Sequence, residues 1–332
     1  MQIEGVLALT DGFPDVVPMT AGSSTPVPEW HVPIMVDEVV ELLRPRPGAV
    51  IVDGTVGAGG HSISVVPRLI PDGRLIAVDR DPEALRRAKE RLVEFESLVT
   101  FLHDDYRRLP EILQDLRISR IDGLILDLGV SSLQLGSSQR GFSFSKEGPL
   151  DMRMDLRAET TAEELVNRLP VEELARIFET FGEERFARRI ARCIGQERHR
   201  HPITTTTQLA HLIVRAVPSG ARHGRLHPAT RVFQALRIAV NDELGALERC
   251  LTALPELLNP GGRAVILTFH SLEDRLVKRS FVQGMHDQLL SVLTKKPLRP
   301  DDDEVASNPR ARSAKLRAVE RGESQQETGR EV

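Results

Sequence analysis

Two apolar runs frame a glycine-dense turn: Val50-Ile51-Val52-Asp53-Gly54-Thr55-Val56-Gly57-Ala58-Gly59-Gly60-His61, then Leu75-Ile76-Ala77-Val78-Asp79. Glycines in such a turn let main chain approach a ligand closely, and an acid about twenty residues on accepts hydrogen bonds from a ribose. The spacing predicts one βαβ unit carrying a nucleoside-containing cofactor. Two further apolar runs end in His103-Asp104-Asp105-Tyr106 and in Asp127. A ring at the first can stack on adenine, and an acid there can meet its amine. Ligands of open α/β sheets bind outside such strand ends.

The turn does not by itself fix the cofactor. A dinucleotide fingerprint, G-x-G-x-x-G, starts at Gly57-Ala58-Gly59, but its third glycine falls on Ser62, and the extra glycine is Gly60. A nicotinamide-dependent dehydrogenase would use a glycine turn and a ribose acid too. Asp53-Gly54-Thr55 followed by the glycine cluster resembles the first motif of class I methyltransferases that use S-adenosylmethionine. In that reading the loop main chain faces the methionine part, Asp79 takes the ribose hydroxyls and Asp127 lies beside the transferred methyl.

These residues need a sheet to hold them. Strands are expected at Ala49–Asp53, Arg74–Asp79, Leu98–Leu102, Gly123–Leu128 and Arg263–Phe269. Helix-length segments separate the first four, and alternating strands and helices imply a parallel sheet covered on both faces. Between Asp127 and Arg263 lies far more chain than one crossover uses. Helical stripes fill it: Leu174, Ile177, Phe178 and Phe181 ending at Gly182; Phe186, Ile190, Cys193 and Ile194; a third opened by Thr207; and a long helix from Phe233 to Leu251. The latter part of that long helix reads as the sheet's own crossover. A helix at Leu272–Phe281 and strands near Leu289–Leu293 and Lys315–Val319 would close the sheet. The expected architecture is a Rossmann-like α/β sheet, residues 29–137 and 226–320, with an inserted all-helical substrate lobe at 138–225. Residues 1–28 read as a disordered extension and 321–332 as a disordered tail.

Composition is ordinary for a globular chain: 332 residues, 40% hydrophobic and 28% charged, with no apolar run long enough for a membrane helix. Two cysteines, Cys193 and Cys250, read as buried thiols in a reducing, cytoplasmic setting, with no metal site. A net charge of −4 hides an asymmetry. From Arg185 to Arg237 arginines crowd with five histidines and a single acid, Glu197. Such a block is an electrostatic footprint for phosphates, or else a solvated face. Arg185, Arg188, Arg189, Arg192, Arg198 and Arg200 are the phosphate candidates. His227 reads as a capping or packing histidine, since no second ligand stands at metal spacing.

Longer motifs are more specific. Asp127-Leu128-Gly129-Val130-Ser131-Ser132-Leu133-Gln134, Arg140-Gly141-Phe142-Ser143-Phe144 and Gly148-Pro149-Leu150-Asp151-Met152-Arg153-Met154-Asp155 occur in order. Phe181-Gly182-Glu183-Glu184-Arg185-Phe186-Ala187, His227-Pro228-Ala229-Thr230-Arg231, Phe269-His270-Ser271-Leu272-Glu273-Asp274-Arg275 and Asn308-Pro309-Arg310-Ala311-Arg312-Ser313 follow. From His31 to about Arg321 the chain resembles the bacterial ribosomal RNA small subunit methyltransferase H family, also called MraW. That resemblance implies a class I S-adenosylmethionine-dependent methyltransferase sheet with an inserted helical lobe. It implies methylation of the exocyclic N4 amine of a cytidine in the decoding region of 16S rRNA, within the small ribosomal subunit. By motif it implies cofactor contacts from Gly59, Gly60, His61, Asp79, Tyr106, Asp127 and Gln134. Tyr106 stands where many relatives have Phe, and Leu133 where many have Pro.

The chemistry implied needs a proton acceptor beside the amine. Asp127 is the candidate, with Ser131, Ser132 and His270 as neighbours; the competing role for Asp127 is to hold the cofactor alone. Phe142 and Phe144 could stack on the target base or pack in the core. The rival functions are a methyltransferase of another RNA or of DNA, a dehydrogenase, and a non-catalytic ribosome-binding factor.

Overall fold

The computed structural model describes residues 33–322 apart from 223 and 225. The expected N-terminal extension lies outside the described residues, as does most of the expected tail. Strands are β1 (Val50–Asp53), β2 (Arg74–Asp79), β3 (Val99–His103), β4 (Ile121–Asp127), β5 (Leu258–Thr268), β6 (Leu290–Val292) and β7 (Lys315–Arg321). The tail was expected from residue 321, but β7 runs through it, pairing Arg321 with Leu290. Helices are α1 (Val36–Leu43), α2 (Ser62–Val65), α3 (Pro82–Arg91), α4 (Leu109–Asp115), α5 (Ser132–Gly136), α6 (Ala162–Arg168), α7 (Val171–Gly182), α8 (Ala187–Arg198), α9 (Thr206–Ala216), α10 (Thr230–Asn241), α11 (Glu243–Leu257), α12 (Ser271–His286) and α13 (Asp302–Ser307).

One sheet runs in the order β3-β2-β1-β4-β5-β7-β6. The first five strands are parallel; β7 is antiparallel to both of its neighbours. The central strands are buried on both faces, which is why they read as unbroken apolar runs rather than alternating ones. One face packs on α1, α2 and α3 through Val39, Leu43, Val65, Leu85 and Ala88. The other packs on α4, α11 and α12 through Ile112, Leu247, Leu251, Val277 and Phe281. Chain order reverses between β1 and β4, and that switch point opens a crevice at the strand tips.

A separate apolar cluster joins Phe142, Leu150, Met152 and Met154 to α6, α7, α8, α9 and α10. A boundary at residue 225 cuts through this cluster, because Ala229 and, on α10, Val232, Phe233 and Leu236 belong to it. The single long helix expected over Phe233–Leu251 is two helices. Asp242 breaks it in the left-handed conformation (φ 46°), which Asp tolerates better than most residues. Its carboxylate is held there by Arg107 at 2.8 Å and Arg249 at 2.9 Å. Thr205, not Thr207, caps α9, in a reciprocal box with Gln208.

Gly182 does not end α7 by adopting a left-handed turn; Glu183 does (φ 47°). Gly182 is there because a Cβ would lie 2.6 Å from the Arg231 carbonyl oxygen of α10. Gly182→Ala is therefore expected to wedge two helices apart and cost about 1–3 kcal/mol. Urea unfolding against the parent protein measures it; an unchanged midpoint would contradict the packing described.

Candidate functional site

The loop after β1 is fixed by its own hydrogen bonds. Gly54 N–H donates to Ile125 O (3.0 Å), and Val56 N–H to Val78 O (3.0 Å). A Cβ on Gly54 would stand 2.6 Å from Leu126 Cδ2 and 3.0 Å from Tyr106 Cβ, so a larger residue would have to displace packed side chains where the loop closes on β4. Gly57 and Gly59 have positive φ (53° and 77°), the left-handed region that glycine enters without strain. Gly60 backs onto Pro33, where a Cβ would stand 2.9 Å from the proline Cβ. Asp53 accepts from Thr55 N–H (3.2 Å) and from the Ser62 hydroxyl (2.7 Å), and burial pushes its carboxyl up. Ser62, the position that breaks the dinucleotide fingerprint, is thus a strut between loop and strand.

Asp79 closes β2 and accepts Gly57 N–H through Oδ2 and Asp81 N–H through Oδ1, both at 2.8 Å. A carboxylate offers about four acceptor sites, so two remain for a ribose. Burial pushes Asp79 up to about 6. Two residues on, Asp81 caps α3 and is buried; its Oδ2 also receives Gln134 Nε2 (2.9 Å) and Arg140 Nη1 (2.8 Å). Gln134 Oε1 accepts Ser131 N–H (3.0 Å), completing a capping box on α5. Its amide is therefore turned to protein groups, and it reaches Asp79 only through Asp81. Tyr106 is buried under Gly54, with the Arg80 guanidinium 5.8 Å from its ring centroid. Asp105 pairs with Arg80 (3.0 Å) and Arg107 (2.9 Å), and Asp104 with Arg108 (2.9 Å), so both acids before the ring are already partnered.

Asp127 closes β4. Its N–H donates to Thr55 Oγ1 (2.6 Å), which ties the tip of β4 to the glycine loop. Its Oδ1 is buried with no hydrogen-bond partner among the described residues, while Oδ2 faces His61 Nδ1 at 3.8 Å. Burial, reinforced by Asp53 and Glu273 and opposed by His61, pushes its carboxyl up to about 6. The His61 ring is buried, and Nε2 lies 2.9 Å from the Ile34 carbonyl oxygen. Its ring is thus held between the Ile34 carbonyl and Asp127, and its own carbonyl accepts the Ser64 and Val65 N–H groups. Of the other neighbours expected for Asp127, Ser131 is spent on the α5 cap, Ser132 receives Arg310, and His270 caps α12.

Beside His270 lies a group that the sequence did not disclose. Ligand-type atoms of Glu243, His270 and Glu273 fall within 4.8 Å of one another. Arg237 donates Nε and Nη2 to the two Glu243 oxygens, each at 2.8 Å. Against the cost of burial, His270 and Arg237 hold Glu273 below the usual carboxylate range. The guanidinium supplies the counter-charge that a cation would, so the cluster is an ion-pair network at the lobe–sheet junction. His270-Ser271-Leu272-Glu273 carried the capping-box spacing. Glu243 was hidden by the unforeseen helix break at Asp242.

Phe142 packs in the lobe core. Phe144 stacks on His227 (centroids 4.7 Å) and meets Phe233 edge-on. His227 Nδ1 accepts Ala229 N–H (3.1 Å), a capping role. Both cysteines are free thiols, Cys193 half-buried and Cys250 buried. No helix among the described residues is long and apolar enough to cross a membrane.

A seven-stranded sheet of this order, with a glycine loop after β1 and carboxylates at the tips of β1, β2 and β4, defines a class I methyltransferase fold. The profile of the MraW methylase family matches residues 29–322, and the chain belongs to that family. A relative from Geotalea daltonii is 50% identical over 306 residues, 88% of this chain and 98% of its own. One from Syntrophotalea carbinolica is 49% identical with the same coverage. One from Thermobifida fusca is 46% identical over 330 residues, 94% of this chain and 99% of its own. All three are named ribosomal RNA small subunit methyltransferase H.

Proposed function

We propose that this protein transfers a methyl group from S-adenosylmethionine to the N4 amine of a cytidine in the decoding region of 16S rRNA, within the small ribosomal subunit. The names of its relatives support the substrate class. The observation that carries the site assignment is the Asp127 carboxylate: half-buried at a strand tip, with one enclosed oxygen that no described residue satisfies. Buried acceptors without partners are rare and call for a donor from a ligand, an ion or water; at the tip of β4 a ligand donor fits the family's chemistry.

The residues present fit the cofactor. Asp79 has acceptor sites left for ribose hydroxyls, and the main chain of Gly59, Gly60 and His61 would line the methionine part. Tyr106 would flank the adenine by packing. Gln134 would act by bracing Asp81. When bound, S-adenosylmethionine supplies an electrophilic methyl carbon; the N4 lone pair forms the new bond and the carbon–sulfur pair leaves with sulfur. Cytosine's amine is a poor nucleophile because its lone pair is delocalised into the ring. Asp127 accepts hydrogen bonds from that amine and then its proton, countering the charge that builds on nitrogen.

The proposed RNA surface is one face of α8 together with Arg185 just before it. Arg185, Arg188, Arg189 and Arg192 recur at helical spacing and all are exposed. The Arg188 guanidinium meets Glu179 at 3.2 Å, an exposed pair of little worth. Arg198 leaves the candidate set because its Nη1 caps the Val166 carbonyl (2.7 Å), tying α8 to α6. Changing those four arginines to Gln is expected to weaken 16S rRNA binding and to lower the slope of log K against log salt by about three. Titrations at several salt concentrations read that slope, and an unaltered one would remove α8 from the interface. Labelled cofactor offered to immature 30S subunits, free 16S rRNA and duplex DNA tests the substrate.

A further inference from the structure

We propose that His61 is a positioning residue for the transfer step: it holds one proton jointly with Asp127 and so keeps that carboxylate ready for the proton leaving the cytidine amine. The inference rests on the reading of Asp127 given above.

The imidazole cannot choose its tautomer freely. Nε2 sits 2.9 Å from the Ile34 carbonyl oxygen, and a carbonyl only accepts, so Nε2 carries hydrogen. That leaves Nδ1 as the variable site, and it faces Asp127 Oδ2 at 3.8 Å. A bare nitrogen opposite an ionised carboxylate would be two acceptors confronting each other with the ring fully enclosed. One proton between them turns the contact into an attraction. At 3.8 Å the pair is within ion-pair range but longer than a hydrogen bond. Contacts of this kind shorten when a substrate seats. The other charged groups acting on Asp127 are acids, Asp53 from β1 and Glu273 from α12. Asp53 is held by Ser62 and Thr55 and also feels His61, and Glu273 is held by His270 and Arg237; His61 is the positive neighbour that acts on Asp127.

In the step itself, the N4–H bond breaks and its electron pair stays on nitrogen, offsetting the positive charge that methylation leaves there. The proton goes to the part-exposed Asp127 carboxylate, whose Oδ2 faces His61. The pair then returns one proton to solvent when product departs.

Carbon-13 NMR of the aspartate carboxyls in cofactor-free, full-length protein tests the pairing, with the Asp127 signal identified by its loss in Asp127→Asn. In the parent protein its midpoint is expected at about 6. His61→Gln keeps an N–H able to reach the Ile34 carbonyl and removes Nδ1. It is expected to raise the Asp127 midpoint by about one pH unit. The acid limb of single-turnover transfer moves with it. A purely structural role for His61 leaves the midpoint in place, so an unmoved or lowered midpoint overturns the proposal. Nitrogen-15 shifts of the parent imidazole give a second reading: hydrogen at both ring nitrogens near neutral pH supports the pairing, and a bare nitrogen at either position overturns it. Methylation of 16S rRNA with an unmoved midpoint defeats the pairing alone. A moved midpoint with no methylation of 16S rRNA upholds the pairing and defeats the substrate reading.

Discussion

Asp127→Asn is expected to slow single-turnover methyl transfer by about 10²–10⁴-fold while leaving cofactor affinity within a few-fold. Asparagine keeps the size of the side chain, and the main-chain bond from residue 127 to Thr55 Oγ1 does not depend on it. What disappears is the proton acceptor. If Asp127 served only to hold the cofactor, the loss would fall on binding instead, and calorimetry with S-adenosylmethionine separates the two. The pH profile gives an independent reading. The acceptor must be ionised, so at saturating cofactor the parent rate is expected to fall as pH drops through about 6. The variant lacks that limb.

Stability moves the other way. Burial raises the Asp127 pKa from 3.8 to about 6. A raised folded-state value contributes stability in full below the unfolded value and loses it as pH rises through the folded one. Near pH 8 the ionised carboxylate therefore costs the cofactor-free protein stability. Asp127→Asn is expected to withstand more denaturant than the parent at pH 8 and to lose that advantage below pH 4. A variant that is both inactive and less stable at pH 8 would point to simple structural damage.

Asp79→Ala is expected to weaken cofactor binding by about 10²–10⁴-fold, from two lost charge-assisted hydrogen bonds at about 1.5–3 kcal/mol each. The damage spreads further than the ribose. Gly57 and Asp81 each give an N–H to this carboxylate, so the truncation also loosens the glycine loop and the cap of α3. Asp79→Asn, which retains one oxygen, is expected to lose less. Burial pushes Asp79 up to about 6 as well, so parent affinity for the cofactor is expected to weaken as pH falls through that value. An Asp79→Ala protein with an unchanged dissociation constant would refute the ribose assignment.

Much of this arrangement is written in local sequence. β2 has the boundaries expected, Arg74–Asp79, because a buried parallel strand is an apolar run between a turn and a carboxylate. The glycine loop was legible because positive φ and close approach of strands leave few other residues possible. What escaped was set by distant partners. Asp242 breaks a helix whose apolar stripe runs on without interruption, since Arg107 and Arg249 stabilise a conformation that periodicity cannot register. Arg140 stands out in sequence only as part of a motif, yet its partners Asp81, Arg153 and Met154 show it bracing the loop. Gln134 was expected at the cofactor, but the direction of its amide depends on Asp81, far away in the chain. The Arg237–Glu243 pair likewise spans a helix break that the stripe pattern concealed.

The substrate assignment has one decisive measurement. Purified protein is incubated with methyl-labelled S-adenosylmethionine and 30S subunits from cells lacking the endogenous activity, and the 16S rRNA is digested and mapped by mass spectrometry. One labelled methyl on the N4 amine of a single cytidine in the decoding region is the outcome expected. Label confined to another base, to another atom of cytosine or to DNA would contradict the account, as would rRNA that stays unlabelled while the cofactor is bound.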